Sequence, residues 1–191
     1  GSEAEFVRRM NVEAKRLGMS DTNFVNPNGL HDPNQYTTAR DLAVLAAAIR
    51  RNYPQYDPIF AAEAVQIGNK ITATYNLLLG RYQGADGMKT GFVCASGFNL
   101  VASATRQGRT LISVVLGAAS QKTRAEKSVS LLEQGFASSP QAGSPIAELA
   151  RPADASNQLA NMRPIVCTEQ ARAKRWDGRQ IEGYINFNTP L

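Results

Sequence analysis

The residues best suited to chemistry lie in one short run, Asp-Gly-Met-Lys-Thr-Gly-Phe, at residues 86–92. Lys89 and Thr90 place a positive charge beside a hydroxyl group, and Gly91 lets another backbone approach closely. Such a group can bind an anion and stabilise negative charge that develops in a transition state. The tripeptide alone is a weak signal, because in most chains it marks only a solvated strand end.

The sequence after this run predicts a β-hairpin that would position Lys89 and Thr90. Residues 98–105 are rich in small and apolar side chains, residues 106–109 favour a turn, and residues 110–116 are again apolar. Both strands are apolar on both alternating faces, which indicates a sheet covered by helices on each side. Lys89 and Thr90 are therefore predicted to lie on a strand beside the hairpin.

Helical periodicity predicts the elements that cover such a sheet. Apolar residues at spacings of three and four predict a helix over residues 3–17, and Thr38 with Asp41 is the capping signature of a second helix. A third helix is predicted over residues 121–134, with Gly135 just beyond its end.

The segment before the Lys-Thr-Gly run contains a second, smaller hairpin pattern. Its two strands are predicted at residues 64–67 and 70–74. The apolar run 76–79 is predicted to pack under the strand that carries Lys89. Gly87 allows the backbone to bend tightly just before that strand.

Several separated motifs occur in the order found in one enzyme family. The Asp-Gly-x-Lys-Thr-Gly run, followed by Gly97-Phe98-Asn99-Leu100, resembles the third active-site motif of the serine penicillin-binding proteins. Upstream, Asn26-Pro27-x-Gly29-Leu30 and Thr38-Ala39-Arg40-Asp41-Leu42 resemble the low-molecular-mass D-alanyl-D-alanine carboxypeptidases of that class. The resemblance spans roughly residues 1–136. It implies an α+β fold, part of a penicillin-binding-protein/β-lactamase-like domain with an antiparallel sheet flanked by helices.

The resemblance also implies an activity and a set of site residues. The family removes the terminal D-alanine from peptidoglycan stem pentapeptides through an acyl-serine intermediate, needs no cofactor or metal, and is acylated by β-lactams. Lys89 and Thr90 would contact the substrate's terminal carboxylate, and Gly91 would let the peptide lie along the strand. The backbone N–H of Phe92 would be one oxyanion-hole donor; relatives often carry a polar residue there, which leaves substrate preference open.

Arg124 matches an arginine near the family's active site. The resemblance implies that its guanidinium binds a substrate carboxylate. An arginine that opens a helix is about as often a surface residue, so both interpretations stay open from the sequence.

Two motifs that the family needs are not found in the sequence. They are a nucleophilic Ser three residues before a Lys and a second Ser two residues before an Asn, and neither Ser-x-x-Lys nor Ser-x-Asn occurs. In the family both precede the part that resembles this chain. The expectation is therefore a C-terminal part of a catalytic domain, inactive alone, with the nucleophile and a signal peptide upstream and a periplasmic or other extracytoplasmic location.

The same motif is compatible with other functions. A non-catalytic piece that binds peptidoglycan through the Lys89 strand and a β-lactamase-related acyltransferase both fit the same motif. The net charge of +5 suits an anionic partner, but no basic run exceeds two residues, so a solvated surface is favoured over a nucleic-acid site. One His without clustered carboxylates gives little support to a metal site, and no run of eighteen apolar residues predicts a membrane span.

The C-terminal part differs in composition from the rest. The sequence predicts a carboxypeptidase-like domain at 1–136, a linker at 137–148 and a poorly defined extension at 149–191, with candidate strands at 165–167 and 181–187. The cysteines are Cys94 and Cys167. The sequence leaves two states equally open: a disulfide, if the protein is exported as the resemblance implies, and two buried free thiols. A catalytic cysteine is disfavoured.

Overall fold

The computed structural model describes residues 1–139, 146–149 and 158–173. Its regular elements are, in chain order, α1 (Glu3–Arg16), α2 (Ala39–Asn52), α3 (Asp57–Phe60), β1 (Ala64–Ile67), β2 (Lys70–Ala73), β3 (Ala85–Val93), β4 (Gly97–Arg106), β5 (Arg109–Ala118), α4 (Gln121–Ala137), α5 (Arg163–Val166) and α6 (Glu169–Ala173). Helices and antiparallel strands together confirm the predicted α+β class. No described helix combines the length and the hydrophobicity that a membrane-spanning segment needs.

The sheet that carries the Lys-Thr-Gly run has three antiparallel strands in the order β3-β4-β5. Lys89 pairs with Val101 and Gly91 pairs with Asn99 across β3 and β4. This pairing confirms that the motif lies on a strand beside the predicted hairpin. Because β3 is the last strand in this order, no further strand pairs with its outer edge in the described part of the chain.

Both predicted hairpins form. β4 and β5 are joined by Gln107 and Gly108, whose φ angles of 48° and 75° are left-handed. Positive φ at both residues is typical of a type I′ turn, whose backbone matches the right-handed twist of the flanking strands. β1 and β2 form a separate two-stranded sheet, and its residues are exposed.

One face of the three-stranded sheet packs against α4. The buried apolar cluster on this face draws side chains from β4, α4 and the segment before β3: Leu77, Leu78, Tyr82, Leu100, Ala102, Ala104, Ala125, Val129 and Leu132. Full burial of a leucine or valine side chain contributes about 1.5–3 kcal/mol. Leu77 and Leu78 belong to the apolar run predicted to pack under the motif strand. The partly buried Ala85 of β3 packs against the same cluster, so that prediction is confirmed.

The end of α4 differs from the sequence prediction. The helix extends to Ala137, and Gly135 lies within it instead of terminating it. A Cβ atom on Gly135 would lie 2.7 Å from Cδ1 of Leu111 in β5. The predicted stop is wrong because this glycine allows the helix to pack closely on the sheet and does not form a left-handed C-terminal turn.

The opposite face of the sheet is contacted by α2. Ser103 alternates with the buried Ala102 and Ala104 along β4, so its side chain points to the other face. There Ser103 Oγ accepts a hydrogen bond of 2.9 Å from Nη1 of Arg50 in α2. Helices therefore lie on both faces, as the apolar strands predict.

Asp41 connects the segment after α1 to α2. Its side chain is fully buried, and Oδ2 accepts hydrogen bonds from the Asp21 N–H at 2.8 Å and the Thr22 hydroxyl at 2.7 Å. Oδ1 accepts a third from Arg40 at 2.7 Å. A buried carboxylate needs such donors to offset its desolvation. The predicted cap also forms, since Thr38 Oγ1 accepts from the Asp41 N–H.

Cys94 and Cys167 form a disulfide with their Cα atoms 5.8 Å apart. Of the two states that the sequence leaves open, the structure has the disulfide and not two free thiols. Residues 165 and 166 lie in α5, so the strand predicted at 165–167 is wrong; Pro164 in the first turn favours a helix start. The strand predicted at 181–187 lies outside the described residues, and the domain boundaries stay predictions.

Arg106 organises a polar cluster at the far end of the sheet. Its guanidinium carbon lies 4.7 Å from the centre of the Tyr82 ring and 4.5 Å from that of Phe136. It also pairs with Glu133 at 2.8 Å, and the Tyr82 hydroxyl donates to the same carboxylate at 2.8 Å. The hydrogen bond from Arg106, with a smaller contribution from Tyr82, lowers the pKa of Glu133 below its usual value of 4.5.

Glu133→Gln is expected to lower the melting temperature at pH 7 by about 2 °C, because an ion pair whose carboxylate is 42% exposed contributes about 1 kcal/mol. A carboxyl group whose pKa is lowered by folding stabilises the protein above the unfolded pKa, and this contribution is lost as the pH falls through the folded value. The difference between variant and wild type should therefore shrink from pH 7 to pH 3. Glu126→Gln, which removes the longer pair to the exposed Lys122, is the control. An equal difference at both pH values would contradict the assignment.

Candidate active site

The predicted site residues Lys89, Thr90 and Gly91 lie consecutively on the edge strand β3. Residues directly opposite in an antiparallel pair share a face. Thr90 pairs with the buried Leu100 and points to the α4 face, whereas the exposed Lys89 points to the opposite face. Gly91 is exposed and has no side chain to obstruct the outer edge. The structure therefore brings the three residues together on an accessible strand.

The ammonium group of Lys89 lies close to its own strand. Its Nζ donates a hydrogen bond to the carbonyl oxygen of Thr90. None of the ion pairs in the described ranges involves Lys89. An exposed cation without a carboxylate neighbour retains its capacity to attract an anion.

The start of β3 is fixed by Asp86. Arg50 donates to both carboxylate oxygens, Nη1 to Oδ1 at 3.0 Å and Nη2 to Oδ2 at 3.1 Å, in the bidentate geometry that strengthens such pairs. The hydroxyl groups of Ser103 and Thr105 each donate to Asp86 at 2.6 Å. This network joins α2, β3 and β4 three residues before Lys89.

Arg50, Ser103 and Thr105 were not identified from the sequence as positioning residues. Two polar side chains at alternating positions of an otherwise apolar strand were the available signal. Such a pattern indicates a polar partner facing that side of the strand.

Gly87 is required by close packing at the same point. A Cβ atom there would lie 2.7 Å from Ser103 Oγ and 3.5 Å from Cβ of Phe60. Its carbonyl oxygen accepts a hydrogen bond of 2.8 Å from Nδ2 of the buried Asn76. The tight backbone bend that the sequence predicts at Gly87 is thus stabilised by close packing and by the hydrogen bond from Asn76.

Asp86→Asn is expected to lower the free energy of unfolding by about 1–3 kcal/mol. The new amide group would face hydrogen-bond donors and leave the Arg50 charge, which is 14% exposed, with a weaker partner. Asp57→Asn is the matched control, since Asp57 pairs with the same guanidinium at the longer distance of 3.4 Å. Urea unfolding measures both changes. A loss for Asp86→Asn no larger than that for Asp57→Asn would contradict the network.

Phe92 lies at the other end of the motif. Its half-buried ring packs on the ring of Phe98 in β4, with centroids 4.3 Å apart. A tilted aromatic pair of this kind stabilises the contact between the strands. The role of the Phe92 N–H as an oxyanion donor stays a prediction.

Arg124 is buried beneath β4 and is not a surface residue. Its side chain donates to the carbonyl oxygen of Asn99 at 3.1 Å and to that of Tyr75 at 2.6 Å. The residue is only 2% exposed, and burial lowers its pKa to about 10. The surface interpretation is therefore wrong. Because Asn99 pairs with Gly91, Arg124 supports the strand pair at the site; its binding to a substrate carboxylate stays a prediction.

The sequence profile of the peptidase S11 family, described as D-alanyl-D-alanine carboxypeptidase, matches residues 1–120. The chain belongs to this family. The assignment made from the Lys-Thr-Gly run and the upstream motifs is thereby confirmed.

Two relatives illustrate the match to curated D-alanyl-D-alanine carboxypeptidases. DacA of Haemophilus influenzae is 42% identical over 139 residues, which cover 72% of this chain and 35% of the relative. DacB2 of Mycobacterium tuberculosis is 33% identical over 151 residues, which cover 74% of this chain and 52% of the relative. The chain thus spans about a third to a half of the length of these carboxypeptidases.

Solved structures of penicillin-binding proteins share the fold. Penicillin binding protein 5 from Haemophilus influenzae superposes with a TM-score of 0.67 at 41% identity, covering 70% of this chain and 40% of that chain. Penicillin-Binding Protein D2 from Listeria monocytogenes, solved in ampicillin-bound and cefotaxime-bound forms, gives a TM-score of 0.65 at 34% identity, covering 70% of this chain and 56% of that chain. The predicted penicillin-binding-protein-like fold is confirmed.

Proposed function

We propose that the complete protein containing this chain is a serine-type D-alanyl-D-alanine carboxypeptidase. It removes the terminal D-alanine from peptidoglycan stem pentapeptides and forms an acyl-serine intermediate. The observation that carries this proposal is the accessible edge of β3, where Lys89 is free of ion pairs within the described ranges and Gly91 leaves the edge unobstructed. Membership of the peptidase S11 family supports the reaction type.

The residues of β3 suit a peptide substrate that adds to the sheet as another strand. Main-chain hydrogen bonds along an unpaired edge align such a peptide, and the missing side chain of Gly91 lets the two backbones approach. Lys89 attracts the terminal carboxylate and lowers the free energy of the anionic transition state. Thr90 adds a hydrogen bond to the carboxylate, Arg124 adds positive charge behind the strand pair, and the Phe92 N–H contributes to the oxyanion hole.

The nucleophile has to come from residues outside this sequence, since it contains neither Ser-x-x-Lys nor Ser-x-Asn. The serine oxygen attacks the carbonyl carbon of the penultimate D-alanine, the adjacent lysine amine takes the hydroxyl proton, and the amide bond breaks. The leaving amine of the terminal D-alanine takes a proton, and water then cleaves the acyl-serine ester. The 191-residue chain by itself is proposed to be inactive.

The protein is proposed to act outside the cytoplasm, in the periplasm or its equivalent, after export by a signal peptide upstream. The disulfide between Cys94 and Cys167 supports an oxidising compartment. Peptidoglycan is found in the same compartment, where its trimming would influence cell-wall structure and cell shape. β-Lactams would be covalent inhibitors of the complete protein.

Labelling with a fluorescent penicillin tests this function. The 191-residue chain and the product of its complete reading frame are incubated in parallel, with an excess of unlabelled ampicillin as the competition control. Stable labelling of the longer protein only is expected. Labelling of neither, with the longer protein folded, would indicate the non-catalytic peptidoglycan-binding alternative, and rapid release of hydrolysed penicillin would indicate a β-lactamase.

A further inference from the structure

Residues 158–173, here called the C-terminal clamp, lie against the turn that joins β3 to β4. The disulfide links Cys167 of the clamp to Cys94, the first residue after β3. The N–H of Met162 donates to the carbonyl oxygen of Ala95 at 2.8 Å. The clamp lies outside residues 1–120, to which the family profile is matched.

The clamp is packed on this turn and is not only tethered to it. A Cβ atom on Gly97 would lie 3.1 Å from Cγ of Met162, and one on Gly117 would lie 3.8 Å from the same atom. The Met162 side chain therefore lies tightly beside Gly97 and at ordinary contact distance from the position beside Gly117. Val166 of the clamp is buried, with 1% of its surface exposed. Burial of this kind disfavours detachment of the clamp.

Hydrogen bonds of Asn99 connect this β3–β4 turn to the middle of the Lys-Thr-Gly run. Nδ2 of Asn99 donates to Ser96 Oγ at 2.8 Å and to the Gly97 carbonyl oxygen at 3.1 Å, and its Oδ1 accepts from the Gly117 N–H at 2.9 Å. Asn99 is the register partner of Gly91. Gly97 and Gly117, which lie beside Met162, are therefore hydrogen-bonded to Asn99, the residue opposite Gly91.

We infer that the C-terminal clamp positions Gly91 and Phe92 of β3, and that the disulfide is its covalent anchor. An edge strand has neighbours on one side only, and its end opens more readily than a central strand. A crosslink between residues 73 apart restricts such opening. The expected effect of the clamp on acylation rests on the proposed function, whereas its expected effect on the order of β3 does not.

Hydrogen–deuterium exchange of the complete protein tests the ordering directly. In a Cys94→Ala, Cys167→Ala variant, amide exchange in residues 91–99 is expected to rise about tenfold, while exchange in α1 and in β1 stays unchanged. Met162→Ala keeps the disulfide and should give a smaller rise in the same residues. Unchanged exchange in residues 91–99, or an equal rise throughout the chain, would overturn the inference.

Acylation kinetics separate positioning from general stability. The limiting rate of penicillin acylation is expected to fall about tenfold in Met162→Ala and to recover in Met162→Leu, which conserves volume. Ile165→Ala, an exposed site on α5, is the control. A wild-type rate in Met162→Ala with raised exchange would overturn the catalytic consequence. If the wild-type protein is not acylated, the proposed function fails and the exchange experiment alone decides the role of the clamp.

Discussion

Replacement of Lys89 by alanine is expected to slow acylation of the complete protein by a fluorescent penicillin about 100- to 1,000-fold, the size of effect seen when one transition-state contact is removed. The ammonium group is exposed on the edge strand and forms no ion pair in the described part of the chain. Its removal therefore affects charge stabilisation and leaves the packed core unchanged. The free energy of unfolding should change by less than about 0.5 kcal/mol.

Two further variants define the chemistry of Lys89. Lys70→Ala removes an exposed lysine from β2 and should leave the acylation rate unchanged. Lys89→Arg keeps the positive charge but replaces a compact ammonium by a planar group, so partial activity is expected. A wild-type rate in Lys89→Ala would exclude the proposed role of the motif, even if the protein is a penicillin-binding enzyme.

Arg124→Ala is expected to lower the free energy of unfolding by about 2–4 kcal/mol. The buried guanidinium donates to the carbonyl oxygens of Asn99 and Tyr75, so its loss removes one donor from each carbonyl and opens a cavity beneath β4. Arg124→Lys should recover only part of the loss, because one ammonium group does not reproduce two divergent hydrogen bonds.

Urea unfolding measures the stability of these variants. Lys122→Ala, on the same helix with a side chain 65% exposed, is the control and should change stability by less than about 0.5 kcal/mol. A loss below about 1 kcal/mol for Arg124→Ala, together with a large fall in acylation, would indicate that Arg124 acts mainly on the substrate.

The elements that the sequence predicts correctly have strong local signals. The hairpin of β4 and β5 follows from two apolar runs around a turn, and Thr38 with Asp41 marks the start of α2 within a residue. Lys89 is placed on the correct strand because a hairpin follows it directly. In these cases the residues that determine the local structure are close to one another in the sequence.

The features that the sequence did not predict depend on contacts between distant residues. Arg50 and Asp86 are 36 positions apart, and no local pattern pairs them. Arg124 is buried where it donates to carbonyl groups of β4 and of the segment before β3, and a helical pattern does not reveal these acceptors. Likewise, Gly135 has its role only because Leu111 lies opposite.

The disulfide between Cys94 and Cys167 also makes two distant positions of the sequence depend on each other during evolution. Residue 94 lies within the range matched by the family profile, whereas residue 167 lies beyond it. A half-buried cysteine without its partner would be a reactive thiol in an oxidising compartment, open to unwanted crosslinks. Selection should therefore act on the two codons as one unit, and homologous genes are expected to have gained or lost both cysteines together.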